Sequence, residues 1–145
     1  MRLVVQRVLS AGVTAEGVQS QNIGKGLLVL LGVAPGDGFE AAEKAAQKLA
    51  ALRIFSDADG KTNLSSADVG AQLLVVSQFT LYADCAKGNR PSFTGAAPPA
   101  EAMRMYEYFA ERCRQLFPVV KTGMFGADMQ VTLINDGPFT LVLEF

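Results

Sequence analysis

The sequence predicts an α+β fold: mixed or antiparallel β-sheets with two main helices packed on one side. Strand-like segments occupy both ends of the chain, and helical periodicity occurs in only two well-separated segments between them. That order lacks the regular alternation of strand and helix that a doubly wound parallel fold requires. The 145 residues, 50% of them hydrophobic, suffice for one domain, residues 1–145, with its own core.

The first part of the chain is predicted to be sheet. Arg2 to Val8 and Val13 to Ile23 mix apolar and polar residues, as strands do, and tight turns between strands are predicted at Gly12 and Gly17. Leu27 to Val33 is almost wholly apolar, which indicates a short strand buried on both faces.

A first helix is predicted after this strand. Asp37 and Glu40 have the spacing of a capping box, in which two side chains satisfy free N–H groups at the start of a helix. Apolar residues then recur at helical spacing up to Arg53: Ala42, Ala45, Leu49 and Leu52.

The middle of the chain is predicted to hold two loops and one further strand. Ile54 to Gly70 is polar and is assigned to a surface loop, and Leu73 to Val76 is assigned to a second buried strand. Tyr82 to Ala97 is rich in Gly, Asn, Pro and Ser, which indicates a long loop beside a functional site. Its cations Lys87 and Arg90 make it the candidate RNA contact.

A second helix is predicted to open at Pro98-Pro99 and to stop at Pro118. Its apolar stripe is assigned to the core: Met103, Tyr106, Phe109, Ala110, Cys113 and Phe117. The remainder, Val119 to Phe145, is predicted to form short strands broken at Gly123, at Gly126 and at Asp136-Gly137-Pro138.

Composition limits the possible partners. The chain carries 13 Lys and Arg against 14 Asp and Glu, so any nucleic-acid footprint should be small.

A mean hydropathy of +0.23 is high for a small protein and predicts that a second subunit covers part of the surface, as in a homo-oligomer. The longest apolar run, Gly26 to Ala34, is far shorter than the roughly 20 residues of a membrane helix, and we expect a soluble, unexported, cytoplasmic protein.

The residue types exclude the commonest hydrolytic mechanisms. The chain contains no His, and Cys85 and Cys113 lie far apart without a metal-binding spacing. Histidine-based triads are therefore excluded, and we expect neither a metal nor a cofactor. Any chemistry must use backbone groups, hydroxyls or groups of the substrate.

Two short segments are candidates for that chemistry, although each also has a purely structural interpretation. Ser77-Gln78-Phe79-Thr80 follows a buried strand, so hydroxyls, an amide and backbone N–H groups could meet there or merely satisfy the strand end. Asn135-Asp136-Gly137-Pro138 taken alone is a turn, and the rarity of cis X-Pro bonds favours a trans bond before Pro138.

Several ordered motifs together resemble the bacterial type of D-aminoacyl-tRNA deacylase (D-tyrosyl-tRNA deacylase). The similarity is carried by Val75 to Leu81, Arg90-Pro91-Ser92-Phe93, Thr122-Gly123 with Phe125 to Val131, and Asn135-Asp136-Gly137-Pro138. It extends through Gln6-Arg7-Val8, Gly26 to Gly32 and Leu52 to Phe55, so it covers nearly the whole chain.

The resemblance implies an enzyme that hydrolyses the ester bond of D-aminoacyl-tRNA and binds the 3′ end of the tRNA. It implies a homodimer in which Gly137 and Pro138 of one subunit, joined by a cis bond, enter the other subunit's pocket and exclude L side chains. Glycine lacks a side chain, so some hydrolysis of glycyl-tRNA is also implied.

Site residues follow from the same resemblance. Ser77, Gln78, Phe79 and Thr80 are the implied catalytic segment, with N–H groups near Phe79 and Thr80 stabilising the oxyanion. The substrate's 2′-hydroxyl activating water and Thr80 acting as a covalent nucleophile are alternatives that the sequence leaves open.

Further contacts are predicted around this segment. Met129 and Phe79 would supply apolar surface to the terminal adenosine, and Lys87 or Arg90 would meet phosphates. Arg7 would take part in substrate binding by bracing the Gly137-Pro138 loop, or it would be only a solvated charge on a strand.

The chain departs from the family pattern most notably at Met124, where Arg is common, and at Phe139, after the Gly-Pro dipeptide. Two competing functions are a general esterase with Thr80 or Ser77 as nucleophile and a non-catalytic dimer that binds the tRNA 3′ end.

Overall fold

The computed structural model describes residues 1–145 as a six-stranded sheet, a two-stranded hairpin and two α-helices. The elements in chain order are β1 (Arg2–Ala15), β2 (Val18–Ile23), β3 (Gly26–Gly32), α1 (Phe39–Ala51), β4 (Arg53–Ser56), β5 (Thr62–Ser65), β6 (Gln72–Ser77), α2 (Pro99–Arg114), β7 (Val120–Thr122) and β8 (Met129–Glu144). A 3-10 helix, Phe79–Tyr82, follows β6 directly. The predicted α+β class is confirmed.

The large sheet is mixed and is organised around the long strand β1. Its order is β2-β1-β3-β6-β7, with β3, β6 and β7 parallel to one another and β1 antiparallel to its neighbours. The first half of β1 pairs with β3, its second half pairs with β2, and β8 follows its other edge along nearly the whole length. β8 has no second neighbour, so it is an edge strand.

Both helices pack on the same side of the sheet, as predicted. One buried cluster contains Leu49 of α1 and Phe109 of α2 together with alternate residues of the strands, among them Leu3, Leu27 and Val75. Burial of each such side chain stabilises the fold by about 1.5–3 kcal/mol. The helices are held mainly by this shared core.

The intervening strand residues form a second buried cluster on the opposite face. Leu28 of β3 and Leu74 and Val76 of β6 pack there with Val8 and Val13 of β1. β3 and β6 are therefore buried on both faces, which explains their almost continuous apolar sequences. The predictions for both strands are confirmed.

The predicted capping box is wrong. α1 begins at Phe39, and Gly38 occupies the N-cap position without a side-chain hydrogen bond. Asp37 Oδ2 instead accepts from the Ala34 N–H at 2.7 Å, and Asp37 Oδ1 lies 2.7 Å from the Met1 ammonium. The carboxylate stabilises the preceding turn rather than the helix start.

Gly12 does not divide the first strands as predicted, because β1 runs through it without interruption. A Cβ at Gly12 would lie 2.3 Å from Asn22 Oδ1, so a larger residue there would require the Asn22 side chain to move. The chain does turn at Gly17, as predicted, and the φ of Gly17 is +71°.

The predicted loop from Ile54 to Gly70 is wrong in part, since it contains the hairpin of β4 and β5. Its turn is organised by Asp57, which accepts from the N–H groups of Asp59 at 3.0 Å and Lys61 at 2.9 Å. The hydrogen bond from Lys61 is the largest cause of a lowered pKa for the Asp57 carboxyl. The two short strands were not predicted because polar turn residues dominate the composition of this segment.

α2 follows the predicted stripe except at Met103, which is 45% exposed. Met105 is buried in its place, while the other five stripe residues are buried as predicted: Tyr106, Phe109, Ala110, Cys113 and Phe117. The helix ends at Arg114 rather than at the predicted stop, Pro118, so Phe117 is buried beyond its end. Neither α1 nor α2 combines the length and the apolar character needed to cross a membrane.

The C-terminal strand is longer than predicted, because β8 continues through Asp136-Gly137-Pro138. Its register with β1 shifts there: Asn135 pairs with Val8 and Thr140 pairs with Gln6. Four residues of β8, 136–139, thus stand opposite Arg7 and form a bulged loop.

Candidate active site

The segment Ser77-Gln78-Phe79-Thr80 lies where two parallel strands end side by side. Ser77 is the register partner of Leu31, and the Gln78 N–H donates to the Leu31 carbonyl at 2.8 Å. The backbone then enters the 3-10 helix, whose first N–H groups have no partner within the helix. Exposed backbone donors therefore occur at the carboxyl edge of the sheet.

A cleft of about 680 Å³ opens at this edge. Ser77, Gln78 and Phe79 lie in its wall, and 13 of its 19 lining residues are hydrophobic. The loop before α2 and the start of α2 form a second wall, and residues 125–129 with Val131 form a third. The mostly apolar lining suits a flat ring or a hydrophobic side chain better than a phosphate chain.

The polar groups of the segment are linked to one another. The Gln78 side-chain amide donates to the Thr80 hydroxyl, so Thr80 Oγ1 acts as an acceptor in this arrangement. Thr80 is exposed and does not line the cleft, whereas Ser77 and Gln78 are half-buried and do. The structure thus brings three of the four predicted catalytic side chains into the cleft.

Aromatic side chains form one rim of the cleft. Phe79 is 56% exposed, and its ring meets the edge of the Phe93 ring with centroids 4.9 Å apart. Exposed aromatic rings are suited to stack on a nucleobase.

The opposite part of the cleft is fixed by Tyr106. Its hydroxyl donates to the carbonyls of Val75 at 2.9 Å and Gly123 at 3.1 Å, and so ties β6 to the segment after β7. Burial raises the pKa of this hydroxyl, which therefore remains a protonated donor. The Tyr106 and Phe125 rings lie 5.8 Å apart.

Met129 lines the cleft, as the prediction of an apolar contact requires. A Cβ at Gly123 would lie only 2.7 Å from the Met129 sulfur, so glycine lets this side chain lie against β7. Asp128, beside it, is the one charged residue that lines the cleft. Met124, one of the family departures, is 47% exposed and lies outside the lining.

The Gly137-Pro138 dipeptide lies away from this cleft. Both residues are exposed at the tip of the β8 bulge, and the peptide bond between them is cis. The base of the bulge is closed by Asn135, whose Oδ1 accepts from the Phe139 N–H at 2.7 Å.

Arg7 contacts the bulge on both sides of the dipeptide, at Asp136 before it and at Phe139 after it. Its Nε donates to the Asp136 carbonyl at 3.0 Å, and its guanidinium carbon lies 4.8 Å from the centre of the Phe139 ring. Arg7 is 9% exposed and also donates to the Ile54 carbonyl, so it does not line the cleft of its own chain.

Lys87 and Arg90 lie on an exposed loop next to the cleft. The loop is closed by Asp84 and Ser92, which exchange backbone hydrogen bonds of 2.8 and 2.9 Å. Neither cation forms an ion pair within the chain, and neither lines the cleft. Phosphate contact by these residues stays a prediction.

Sequence reasoning missed several lining residues: Phe93, Phe125, Pro98, Pro99, Tyr106 and Asp128. Tyr106 was assigned to the core, where its ring does lie, and the spacing of the helical stripe gave no sign that the same side chain faces a cleft. Asp128 and Phe125 belong to a motif that carried the resemblance, which was the available signal. No group of three or more potential metal ligands occurs in the chain.

Comparison with known proteins identifies the family. The family model described as D-Tyr-tRNA(Tyr) deacylase matches residues 4–144. The chain belongs to the D-Tyr-tRNA(Tyr) deacylase family. The predicted enzyme class, a hydrolase of carboxylic ester bonds, is confirmed by this membership.

Named relatives in this deacylase family align over almost the whole chain. The D-aminoacyl-tRNA deacylase of Desulfatibacillum aliphaticivorans is 56% identical, with 99% of each chain covered. That of Anaeromyxobacter dehalogenans (strain 2CP-C) is also 56% identical, and the alignment covers 99% of this chain and 97% of the relative.

Two solved structures share the fold. One, named c-Myc DNA Unwinding Element Binding Protein, is 42% identical with a TM-score of 0.93, covering 100% of this chain and 99% of that one. The other, a probable eukaryotic D-amino acid tRNA deacylase, has a TM-score of 0.83 at 18% identity, covering 98% and 97%, and supports the fold alone.

Proposed function

We propose that the protein hydrolyses the ester bond of D-aminoacyl-tRNA and releases the free D-amino acid and the tRNA. The observation that carries this proposal is the placement of Ser77, Gln78 and Phe79 in the wall of a largely apolar cleft at the sheet edge. Its volume of about 680 Å³ suits one aminoacylated nucleoside. The net charge of −1 agrees with a footprint limited to the 3′ end, and such an enzyme would act in the cytoplasm with the translation machinery.

The terminal adenosine of the tRNA would occupy the apolar part of the cleft. Phe79 offers an exposed ring for stacking, and Met129 offers a polarisable side chain on another wall. Lys87 and Arg90, exposed and without ion-pair partners, would contact the phosphates that lead away from the cleft.

The N–H groups at the start of the 3-10 helix would stabilise the oxyanion formed when water attacks the ester. Loss of one such donor typically costs about 2.7–4 kcal/mol of transition-state stabilisation. The 2′-hydroxyl of the terminal ribose would help activate the water, because the chain contains no histidine to act as a base. An aminoacyl ester is reactive, so positioning supplies most of the acceleration.

Thr80 is less suited to be a covalent nucleophile. Its hydroxyl accepts a hydrogen bond from the Gln78 amide, which cannot serve as a base. No residue that could remove its proton contacts it, and the side chain lies outside the cleft lining.

Gly137 and Pro138 would act as the chirality filter in the cleft of a second subunit. The bulge stands opposite Arg7, which pairs with Leu27, whereas the cleft lies at Leu31 and Ser77. Val131, the cleft-lining residue of β8 nearest to the dipeptide in sequence, precedes Gly137 by six residues, which is about 20 Å along an extended strand. The dipeptide is therefore too far from its own cleft and would enter that of a partner.

In that position the main-chain carbonyls of Gly137 and Pro138 would accept hydrogen bonds from the substrate's ammonium group. The rigid dipeptide would fill the space that an L side chain needs, while a D side chain points toward solvent. Glycine would pass this filter because it has no side chain to exclude, so glycyl-tRNA would also be hydrolysed.

A homodimer formed through β8 would complete the site. β8 is a 16-residue edge strand whose outer backbone groups have no strand partner. Apolar side chains are exposed on both sides of the bulge: Ile134 is 57% and Val142 is 63% exposed. Long apolar edges of this kind are usually covered by another chain.

The test is to incubate the purified protein with D-tyrosyl-tRNA or L-tyrosyl-tRNA, with and without EDTA, and to follow release of tyrosine. We expect rapid release of D-tyrosine alone, unaffected by EDTA. Equal release from both substrates would contradict the chirality filter, and protection without release would indicate a protein that only binds the tRNA 3′ end.

The mechanism is tested with Thr80→Ala and with a substrate whose terminal ribose lacks the 2′-hydroxyl. We expect the 2′-deoxy substrate to react far more slowly and Thr80→Ala to keep most of the activity. Complete loss in Thr80→Ala together with hydrolysis of simple esters would favour a general esterase with Thr80 as nucleophile.

A further inference from the structure

We propose that Arg2 is a positioning residue for the deacylation site, because it holds the 3-10 helix whose first N–H groups would bind the oxyanion. The inference rests on the proposed function and deepens it. Arg2 lies outside the cleft lining, and no segment that carried the family resemblance contains it.

The guanidinium of Arg2 contacts the 3-10 helix at two points. Its Nη1 donates to the Leu81 carbonyl at 2.6 Å, and its central carbon lies 4.8 Å from the centre of the Tyr82 ring. The same group binds Glu144 on β8, with Nε and Nη2 each 2.7 Å from Glu144 Oε1. Arg2 therefore connects the helix to the ends of β1 and β8.

The strand register explains why Arg2 reaches this helix. Arg2 and Gly32 are register partners on β1 and β3, and side chains of paired residues point to the same face of a sheet. A Cβ at Gly32 would lie 3.1 Å from Tyr82 Cε2 and 3.2 Å from the Gln78 carbonyl oxygen. The helix thus packs directly against the backbone of β3 at Gly32. The Arg2 side chain extends over the same face of the sheet and contacts the helix there.

The helix needs such external contacts because it has little stability of its own. It is only four residues long, Phe79–Tyr82, and none of its residues is buried. Short 3-10 helices also have poorer hydrogen-bond geometry than α-helices. Packing on Gly32 and binding by Arg2 therefore determine where its N–H groups point.

Arginine is suited to this role in a way that lysine is not. The planar guanidinium can donate to the Leu81 carbonyl and to Glu144 at the same time while it stacks on Tyr82. An ammonium group could keep the contact with Leu81 but could not preserve all three.

The test compares Arg2→Ala and Arg2→Lys with wild type, using kcat and KM for D-tyrosyl-tRNA. Misplacement of a catalytic group by about 1 Å can reduce the rate by about 100-fold, so we expect Arg2→Ala to lower kcat by about 10- to 100-fold. KM should rise less than kcat falls, because Phe79 belongs to this helix whereas Met129 and the other walls of the cleft do not. Arg2→Lys should restore part of kcat.

Two further variants separate positioning from general stability. Glu144→Gln removes the ion pair at the surface but leaves the bond to Leu81, and we expect kcat within about threefold of wild type. Arg114→Ala is the matched loss of an exposed arginine, one that pairs only with Glu111. It should change neither kcat nor KM.

An active wild type with unchanged kcat in Arg2→Ala would overturn this inference and leave the proposed function intact. Equal losses in Arg2→Ala, Arg2→Lys and Glu144→Gln, matched by equal falls in Tm, would also overturn it in favour of a structural role. An inactive wild type would overturn the proposed function itself, and this inference with it.

Discussion

Arg7 contacts two oxygen atoms of Asp136: its Nε lies 3.0 Å from the main-chain oxygen and 3.1 Å from the carboxylate. The Arg7 side chain is 11% exposed and that of Asp136 is 33% exposed, so the pair is partly shielded from water. Because Asp136 precedes the Gly137-Pro138 dipeptide, this ion pair fixes the limb from which the dipeptide projects.

Arg7→Ala should therefore lower stability and relax the selectivity for D substrates. We expect the free energy of unfolding to fall by about 1–3 kcal/mol, because the Asp136 carboxylate loses its partner in a partly buried place. Urea denaturation measures this, and the ratio of D- to L-tyrosyl-tRNA hydrolysis measures selectivity. The control Arg114→Ala, which breaks an exposed pair, should cost less than about 1 kcal/mol. An unchanged D-to-L ratio would show that Arg7 does not govern the loop.

Gly137→Ala should impair deacylation more than stability alone explains. Gly137 has a φ of +144°, which L residues rarely adopt, and a Cβ there would lie 2.8 Å from the Phe139 nitrogen. We expect at least a tenfold loss of D-tyrosyl-tRNA hydrolysis, measured at equal concentrations of folded protein.

Gly60→Ala is the matched control, because Gly60 has a φ of +76° with open space around it at a hairpin turn. It should cost about 1–2 kcal/mol of stability and leave activity unchanged. Equal activity in both glycine variants would argue against a role of Gly137 in the site.

Tyr106→Phe should destabilise the protein without removing the cleft's aromatic wall. The substitution removes the hydroxyl donor from the Gly123 carbonyl, whereas the Val75 carbonyl keeps its bond from the Gly123 N–H at 2.9 Å. We expect a loss of about 1–3 kcal/mol in the free energy of unfolding, measured by urea denaturation. A loss near zero would mean that water replaces the hydroxyl.

The two cysteines should differ sharply in reactivity. Cys113 is buried, and desolvation raises the pKa of its thiol to about 12, so almost no reactive thiolate forms at neutral pH. Cys85 is exposed. Iodoacetamide should modify one thiol per chain in the native state and two in urea, as counted by mass spectrometry. Rapid modification of both thiols in the native protein would contradict the burial of Cys113.

Local sequence patterns predicted the strands that are buried on both faces and the helix whose start is marked by proline. The apolar runs of β3 and β6 gave correct strands because both faces of each are buried, and Pro98-Pro99 marked the start of α2. The hairpin of β4 and β5 was missed because four-residue strands carry little periodicity and their turn residues dominate the composition.

The site was predictable only in part. The end of a buried strand marked Ser77 to Thr80 as one candidate segment, but its catalytic role and the contact by Met129 were predicted from the family resemblance. No local spacing rule predicts that Met129 lies near β6, more than 50 residues earlier in the chain. The capping box failed because Asp37 has a stronger partner in the Met1 ammonium, a contact between distant parts of the chain. Such tertiary contacts lie beyond what local sequence patterns can predict.

In the proposed homodimer, Gly137 and Pro138 of one subunit would complete the cleft of the other. The most direct measurement is cross-linking by a short bismaleimide in a Cys85→Ser background that carries Thr140→Cys beside the bulge and Asp128→Cys in the cleft. A control pairs Thr140→Cys with Gly60→Cys. We expect a covalent dimer for the first pair and not for the control. Monomers alone, with both thiols of the first pair free to react, would contradict it.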